Sequence, residues 1–258
     1  DAREAVAALV GAKPEWVVFT SGGTEANNLA LRGADAARVA ASAIEHPSVL
    51  KARDDISEIP VDESGLVQIA AMPQCDLVSI MLANNETGVV QPVARAAEAA
   101  KSFGALVHCD AVQAAGRMSI DMRALGVDLM SLSAHKIGGP QGIGAFIVRG
   151  GVDLVAVQRG GGQERGTRAG TENVAGIAGF GAAAADAMSE LATTETLRAL
   201  RDRLESGIRA VAPEAPIFGE CTDRLPNTSN IAMPDVAAES QLMAFDLAGI
   251  MVSSGSAC

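Results

Sequence analysis

The sequence has 258 residues, of which 48% are hydrophobic and 20% are charged, and its formal net charge is −11. This apolar fraction excludes an intrinsically disordered chain, and an acidic balance without a local basic stripe argues against nucleic-acid binding as the main function. No apolar run approaches the length needed to span a membrane, and the first residues lack the apolar core of a signal peptide.

The four cysteines show no spacing that is typical of a metal site, and a disulfide framework would be unusual in an acidic chain of this length. We therefore expect the protein to be cytoplasmic, in a reducing environment. Cys75, Cys109 and Cys221 lie in or beside apolar runs, which predicts buried and unreactive thiols. Cys258 follows the small residues 253–257, so we expect an exposed thiol that can reach both a ligand and another protein.

Short apolar runs alternate with amphipathic helical stretches through the first two-thirds of the chain. This alternation is typical of an α/β fold, a mostly parallel sheet covered by helices on both faces. We predict strands at 16–20, 39–43, 56–61, 76–82, 105–109, 127–133 and 144–148, and helices at 1–10, 24–32, 47–53 and 93–103.

The character of the chain changes after about residue 171. Ala-rich helices are predicted to about residue 189 and again at 194–211, and the tail mixes strand and helix signals around Pro226 and Pro234. We therefore predict a large ligand-binding domain over 1–190 and part of a smaller α+β C-terminal domain over 191–258.

Polar residues follow the predicted strands at the point where each strand ends. In an open α/β sheet, ligands bind beyond the carboxyl ends of the strands, so these side chains are expected to converge on one site. The clusters lie at 21–25, 45–47, 84–88, 110–113 and 133–136.

Residues 21–24 read Ser-Gly-Gly-Thr and lead into a predicted helix, which suits an anion site. Gly23 lets the backbone approach a ligand, the helix N-terminus offers unpaired N–H groups, and Thr24 adds a hydroxyl. The alternative is a tight strand-to-helix turn in which Thr24 is only the N-cap.

Lys136 and Asp110 fit the chemistry of a pyridoxal phosphate site. A lysine in a desolvated pocket becomes a nucleophilic amine that can form a Schiff base, and an acidic residue must keep the pyridine nitrogen of that cofactor protonated. Both residues come at a predicted strand end or directly after one. The alternatives are a surface lysine and a solvated loop carboxylate.

Three further residues each allow two interpretations. His46 could stack on a flat cofactor ring or simply begin a helix, and Asn85 and Gln113 could bind the cofactor's phenolic oxygen or only hold loops in place. The Gly-rich segment 160–171 contains two arginines and could be a mobile loop at the site or a domain linker.

Taken together, the motifs resemble those of the cysteine desulfurases, pyridoxal-phosphate enzymes of the class V aminotransferase, fold type I group. The resemblance covers essentially the whole chain, and it implies a mostly parallel sheet of the seven-stranded type. The chain's ending is similar to the subgroup that serves iron–sulfur cluster and nitrogenase assembly. The motifs lie at 21–28, 45–46, 84–91, 110–113, 133–137, 161–171 and 253–258.

The resemblance implies a role for each candidate residue around the cofactor. It implies that Lys136 holds pyridoxal 5'-phosphate through a Schiff base, that Asp110 pairs with the pyridine nitrogen, and that His46 stacks on the ring and assists proton transfer. It further implies contacts to the phenolic oxygen by Asn85 and Gln113, and to the phosphate by Thr24, Ser133 and His135.

The resemblance also implies a dimer and a sulfur acceptor. Thr171 would reach the phosphate of the cofactor in the partner subunit, so the protein would be a homodimer. Cys258 would take sulfur from L-cysteine as a persulfide, leaving L-alanine, and pass it to a scaffold or other acceptor protein.

Other functions on the same fold stay open at this point. An aminotransferase needs no acceptor thiol, so Cys258 argues against it, but a selenocysteine lyase is compatible with every motif. A degenerate scaffold that binds the cofactor only structurally would have no reason to keep Lys136, Asp110, His46 and Cys258. The family's N-terminal stretch and the arginine for the substrate carboxylate are not in this sequence, so we expect it to be incomplete at both ends.

Overall fold

We describe the fold from a computed structural model, which covers residues 1–255; Cys258 and the two residues before it lie outside the described part. The strands are β1 (Val17–Thr20), β2 (Val39–Ser42), β3 (Ile56–Ile59), β4 (Leu77–Ser79), β5 (Leu106–Asp110), β6 (Leu129–Ser133) and β7 (Gly144–Val148). The α-helices are α1 (Ala2–Leu9), α2 (Gly23–Gly33), α3 (Pro47–Leu50), α4 (Val93–Lys101), α5 (Val174–Glu190), α6 (Thr194–Val211) and α7 (Ala238–Leu247).

The seven strands form one sheet in the order β1-β7-β6-β5-β4-β2-β3. Neighbours are parallel from β6 through β5, β4 and β2 to β3, whereas β7 is antiparallel to both β1 and β6. The predicted α/β class and mostly parallel sheet are confirmed.

Apolar side chains alternate between two cores on the two faces of the sheet. On β6, Met130 and Leu132 belong to the core that includes residues of α1, α4 and α5, and Leu129 belongs to the core that includes residues of α2 and α3. Side chains along a strand point alternately to opposite faces. Helices therefore cover both faces of the sheet, as predicted.

Two predicted strand boundaries near the site differ from the structure. The regular part of the predicted strand 76–82 ends at Ser79, although backbone hydrogen bonds to β5 continue from Ile80 to His108 and from Leu82 to Asp110. The predicted strand 105–109 extends one residue further, because Asp110 pairs in register with Ser131 of β6. Asp110 is therefore fixed by the sheet itself and not by a loop.

The segment after α5 is less buried than the sheet region. No residue of α6 or α7 is buried, although Arg224 forms a two-point ion pair with Glu205. Nothing in these contacts fixes a domain boundary, so the division at residue 190 stays a prediction. Within residues 1–255, no helix has both the length and the apolar character needed to cross a membrane.

The cysteine prediction is partly wrong. Cys75 and Cys109 are buried, as expected, but Cys221 is exposed. It lies in a turn closed by the Thr222 N–H, which donates to Gly219 O, and the flanking residues Glu220 and Thr222 are polar. An apolar neighbour such as Phe218, itself about half exposed, does not bury a turn of this kind.

Candidate active site

A cavity of about 370 Å³ lies at the carboxyl edge of the parallel strands. This volume is typical of pockets that bind small molecules and cofactors. The cavity brings together every cofactor-binding residue predicted from the sequence except Thr171: Gly23, Thr24, His46, Asn85, Asp110, Gln113, Ser133, His135 and Lys136.

The turn between β1 and α2 forms one wall of the cavity. Gly22 is the N-cap of α2 at φ 155°, a backbone conformation that favours glycine, and no side chain caps the helix. Interpreting Thr24 as the N-cap is therefore wrong. The first N–H groups of α2 have no partner within the helix, so the turn can bind an anion.

Two more donors lie beside this turn. Ser133 Oγ is 2.8 Å from His135 Nδ1, and both residues line the cavity with Thr24. On the other side of the turn there is no room for a side chain at Gly23, because a Cβ at that position would lie 2.8 Å from Val112 Cγ2. A hydroxyl, an imidazole and a helix N-terminus together are the donor set that a phosphate group requires.

Lys136 lies on a short 3₁₀ turn, Ala134–Ile137, that directly follows β6. It is half-buried and lines the cavity, which excludes the interpretation as an ordinary surface lysine. Its carbonyl oxygen accepts a hydrogen bond from Arg117 Nη2 at 3.1 Å, and Nη1 of the same guanidinium donates to Gln113 O at 2.7 Å. Arg117, which the sequence did not single out, thus joins two candidate residues.

Asp110 is a buried carboxyl group and not the solvated loop carboxylate considered as the alternative. It accepts hydrogen bonds from Asn27 Nδ2 at 2.7 Å and from the Val112 N–H at 2.9 Å. Burial raises the pKa of Asp110, and these two hydrogen bonds and the nearby His46 ring oppose that rise. A positively charged nitrogen beside Asp110 would favour its ionised form.

His46 is the N-cap of a helix and also lines the cavity, so beginning a helix does not exclude a role at the cavity. As the N-cap of α3, its Nδ1 accepts a hydrogen bond from the Ser48 N–H at 3.1 Å, and Nδ1 lies 2.7 Å from Ser48 Oγ. Ser48 Oγ also accepts a hydrogen bond from Asn27 Nδ2 at 2.8 Å. A chain of hydrogen bonds therefore joins His46 to Asp110 through Ser48 and Asn27.

Glu45 is a second buried carboxyl group close to the site. Its Oε1 accepts hydrogen bonds from the Met81 N–H at 2.6 Å and from Ser42 Oγ at 2.8 Å, which attaches the segment before His46 to the end of β4. Burial, and then the charge of Asp110, raise the pKa of Glu45 to about 8. Glu45 therefore keeps its proton to a higher pH than an ordinary carboxyl group does.

Thr171 lines a separate small cavity of about 80 Å³, which shares Ser21 and Gly142 with the main one. The segment 160–171 that carries it is attached to the sheet region by several contacts, and two of them are ion pairs. Glu164 is buried and forms a two-point ion pair with Arg3, and Arg168 forms one with Glu25. These contacts do not fit a free domain linker.

The family model described as aminotransferase class-V matches residues 1–258. A cysteine desulfurase of Cereibacter sphaeroides is 47% identical over all of this chain and 71% of the relative's length. The NifS-like protein from Rickettsia africae ESF-5 has a solved structure with a TM-score of 0.92 at 37% identity, over 99% of this chain and 75% of that one. The solved structure of SspA in complex with cysteine gives a TM-score of 0.79 at 29% identity, over 99% of this chain and 76% of that one.

The chain belongs to the class V aminotransferases, as a member of the cysteine desulfurases. Membership of this family implies pyridoxal phosphate as the cofactor. The cavity fits that group, because a lysine amine, a buried carboxyl and an anion-binding turn line it together, with the chemistry that an aldehyde, a ring nitrogen and a phosphate require. Within residues 1–255, no cluster of His, Cys, Asp and Glu that could hold a metal ion is found.

The sequence did not single out several residues of this desulfurase site. Three of these residues lie within or directly beside the recognised motifs: Glu25, Asn27 and Ser48. Their positions in the sequence could therefore have indicated that they belong to the site. The position of Arg117 in the sequence gave no indication of its role. That role depends on the fold, which brings the backbone carbonyl oxygens of Gln113 and Lys136 to one guanidinium group.

Proposed function

We propose that this chain takes sulfur from L-cysteine at the cavity lined by Lys136 and Asp110, and that the products are L-alanine and a persulfide on Cys258. The observation that carries the proposal is the convergence of Lys136, Asp110 and the Thr24 turn on one cavity, although they come from three different strand ends. The solved relative that holds cysteine supports this amino acid as the substrate.

Pyridoxal phosphate, when bound, supplies an electrophilic aldehyde carbon and an electron-withdrawing ring. Lys136 is the residue that binds the aldehyde carbon, because among the described residues 1–255 it is the one lysine that lines the cavity; Lys13, Lys51 and Lys101 lie elsewhere. Asp110 holds the proton of the ring nitrogen in place. The turn at Thr24 binds the phosphate through backbone N–H groups and the hydroxyl.

The remaining cavity residues orient the ligand. Ser133 and His135 add donors to the phosphate, and Asn85 and Gln113 are the hydrogen-bonding groups for the phenolic oxygen. His46 packs on the ring face and holds a proton near the substrate. Each of these assignments rests on the residue's position in the cavity and its donor or acceptor groups.

Cys258 is the proposed sulfur acceptor. Its thiolate attacks the substrate sulfur, the bond from that sulfur to Cβ breaks, and the sulfur stays on Cys258 as a persulfide. The electron pair of the broken bond stays with Cβ, which takes up a proton and becomes the methyl group of L-alanine. A scaffold or other acceptor protein then receives the sulfur, for example in iron–sulfur cluster assembly. The protein is proposed to act as a homodimer, in which Thr171 reaches the cofactor phosphate of the partner subunit.

The test is incubation of the cofactor-loaded full-length protein with L-cysteine and a dithiol, with alanine and sulfide measured together. We expect the two products in equal amounts, because each substrate molecule gives one alanine and one sulfur atom, which the dithiol releases as sulfide. Sulfide without alanine, or alanine formed only when a keto acid is added, would contradict the proposal. A rate with selenocysteine far above that with cysteine would assign the site to the lyase reaction.

A further inference from the structure

The ring of His46 has one nitrogen whose hydrogen-bonding state can be read from its neighbours. The Ser48 N–H lies 3.1 Å from Nδ1, and an N–H group can only donate. Nδ1 must therefore be unprotonated in this geometry, and Ser48 Oγ, 2.7 Å away, must donate to it as well. A neutral ring with a bare Nδ1 carries its proton on Nε2.

The hydroxyl of Ser48 is oriented by a hydrogen bond from Asn27. The two N–H bonds of Asn27 Nδ2 go to Asp110 Oδ2 and to Ser48 Oγ, so the Ser48 oxygen accepts from Asn27 and its own proton is free to donate to His46. Asn27 is buried, and its Oδ1 has no hydrogen-bond partner among the described residues. Turning the amide over would place Oδ1 against the Asp110 carboxylate, so the two donated hydrogen bonds fix the orientation of Asn27.

We propose that Ser48 and Asn27 are positioning residues that fix the tautomer of His46, so that the neutral ring presents an N–H group at Nε2 to the ligand. The proposal rests on the proposed function only for the identity of that ligand. A ring in this state is a hydrogen-bond donor, so the group that His46 meets must be an acceptor, such as a thiolate, a carboxylate or a phenolate oxygen. The same hydrogen bonds tie the orientation of His46 to the carboxylate of Asp110.

The tautomer can be measured directly, because the sequence contains only three histidines: His46, His108 and His135. We would label the ring nitrogens with ¹⁵N in the cofactor-loaded protein and record two-bond ¹H–¹⁵N correlations at a pH where the imidazoles are neutral. The wild-type His46 is expected to show the Nε2-protonated pattern. Ser48→Ala removes the closer donor to Nδ1 and keeps only the backbone N–H at 3.1 Å, so the Nε2-protonated pattern is expected to weaken and the Nδ1-protonated tautomer to become detectable.

Two variants separate positioning from a general loss of structure. Ser48→Thr keeps a hydroxyl and is expected to keep the wild-type pattern, and Ser189→Ala is the matched control, because the Ser189 hydroxyl bonds only to Asp186 O on an exposed part of α5. In Ser48→Ala, kcat for L-cysteine is expected to fall about tenfold while the Kd for pyridoxal phosphate changes less than about twofold, as for other outer contacts that orient a functional imidazole.

An Nδ1-protonated His46 in the wild type would overturn the proposal. So would a His46 tautomer that stays unchanged in both Ser48→Ala and Asn27→Ala. The readout needs no turnover, so its failure is separate from failure of the proposed function: an Nε2-protonated wild type that responds to Ser48→Ala, in a protein that releases no sulfur, refutes the reaction and keeps the positioning role.

Discussion

Arg168 and Glu25 form a two-point ion pair, with Nε 2.7 Å from Oε1 and Nη2 3.2 Å from Oε2. Both side chains are mostly buried, at 18% exposure each, so water screens the pair less than it does an ion pair on the surface. Glu25 Oε2 also accepts the Ser21 N–H at 2.6 Å. One carboxylate therefore connects the segment 160–171 to the turn that is proposed to bind the cofactor phosphate.

Arg168→Ala is expected to weaken pyridoxal phosphate binding, because it removes the contact between the 160–171 segment and the phosphate turn and leaves Glu25 without its partner. The Kd, measured by titrating the cofactor-free protein, should rise about tenfold, which corresponds to about 1.4 kcal/mol. The matched control is Arg53→Ala, which breaks an ion pair with Asp55 away from the site. An unchanged Kd in Arg168→Ala would show that the phosphate turn forms without this contact.

Asp110→Asn is expected to keep cofactor binding and to reduce turnover of L-cysteine by roughly 100-fold or more, because an amide cannot hold the ring nitrogen in its protonated form. The measurement is kcat under saturating cofactor, beside the absorption spectrum of the bound cofactor. Asp76→Asn, which alters an exposed ion pair with Arg38, is the control for loss of a carboxylate. Full activity in Asp110→Asn would remove Asp110 from the mechanism.

Glu45→Gln is expected to flatten the dependence of stability on pH. The folded-state pKa of Glu45 is raised to about 8 from 4.5, so the unfolded chain releases this proton first as the pH rises. The contribution of Glu45 to stability is fully present below pH 4.5 and is lost as the pH rises to 8. Chemical unfolding at pH 5 and pH 8 should therefore show that the free energy of unfolding falls less between these two pH values in the variant than in the wild type.

The wild type and Glu45→Gln share Asp110, whose pKa is also raised by burial, so the difference between the two proteins reports on Glu45 together with its electrostatic coupling to Asp110. An identical loss of unfolding free energy between pH 5 and pH 8 in both proteins would mean that Glu45 is already ionised in the folded state at pH 7.

Local patterns in the sequence were sufficient for most of the fold. The helix predicted at 194–211 and the strand predicted at 144–148 match α6 and β7 at both ends, because their periodicity and their flanking residues are unambiguous. The convergence of the cavity residues was also predicted, since it follows from the rule that ligands bind at the carboxyl ends of parallel strands.

Contacts between distant elements could not be read from the sequence. The hydrogen bond between Asn27 on α2 and Asp110 on β5 depends on how α2 packs over the sheet, and no local pattern encodes that distance. The prediction that Cys221 is buried was wrong for the same reason, because an apolar neighbour in sequence does not ensure burial in a turn. The reach of Thr171 to a partner subunit stays a prediction.

Cys258→Ser is expected to keep the colour of the bound cofactor and to bind L-cysteine, but to release no sulfide, because a hydroxyl does not take up the substrate sulfur. The exposed Cys221 makes Cys221→Ser a matched control, which should keep full turnover. Undiminished sulfide release from Cys258→Ser, or its loss in Cys221→Ser, would mean that another group accepts the sulfur.

The most direct test of the proposed site is to find which lysine holds the cofactor. Borohydride reduction of the loaded protein makes the link between the lysine and the cofactor permanent, and mass spectrometry of the peptides then locates it among Lys13, Lys51, Lys101 and Lys136. We expect the phosphopyridoxyl group on the peptide that contains Lys136, and no covalent cofactor in Lys136→Ala. Its presence on any other lysine, or an unchanged absorption spectrum in Lys136→Ala, would contradict the assignment of this cavity as the active site.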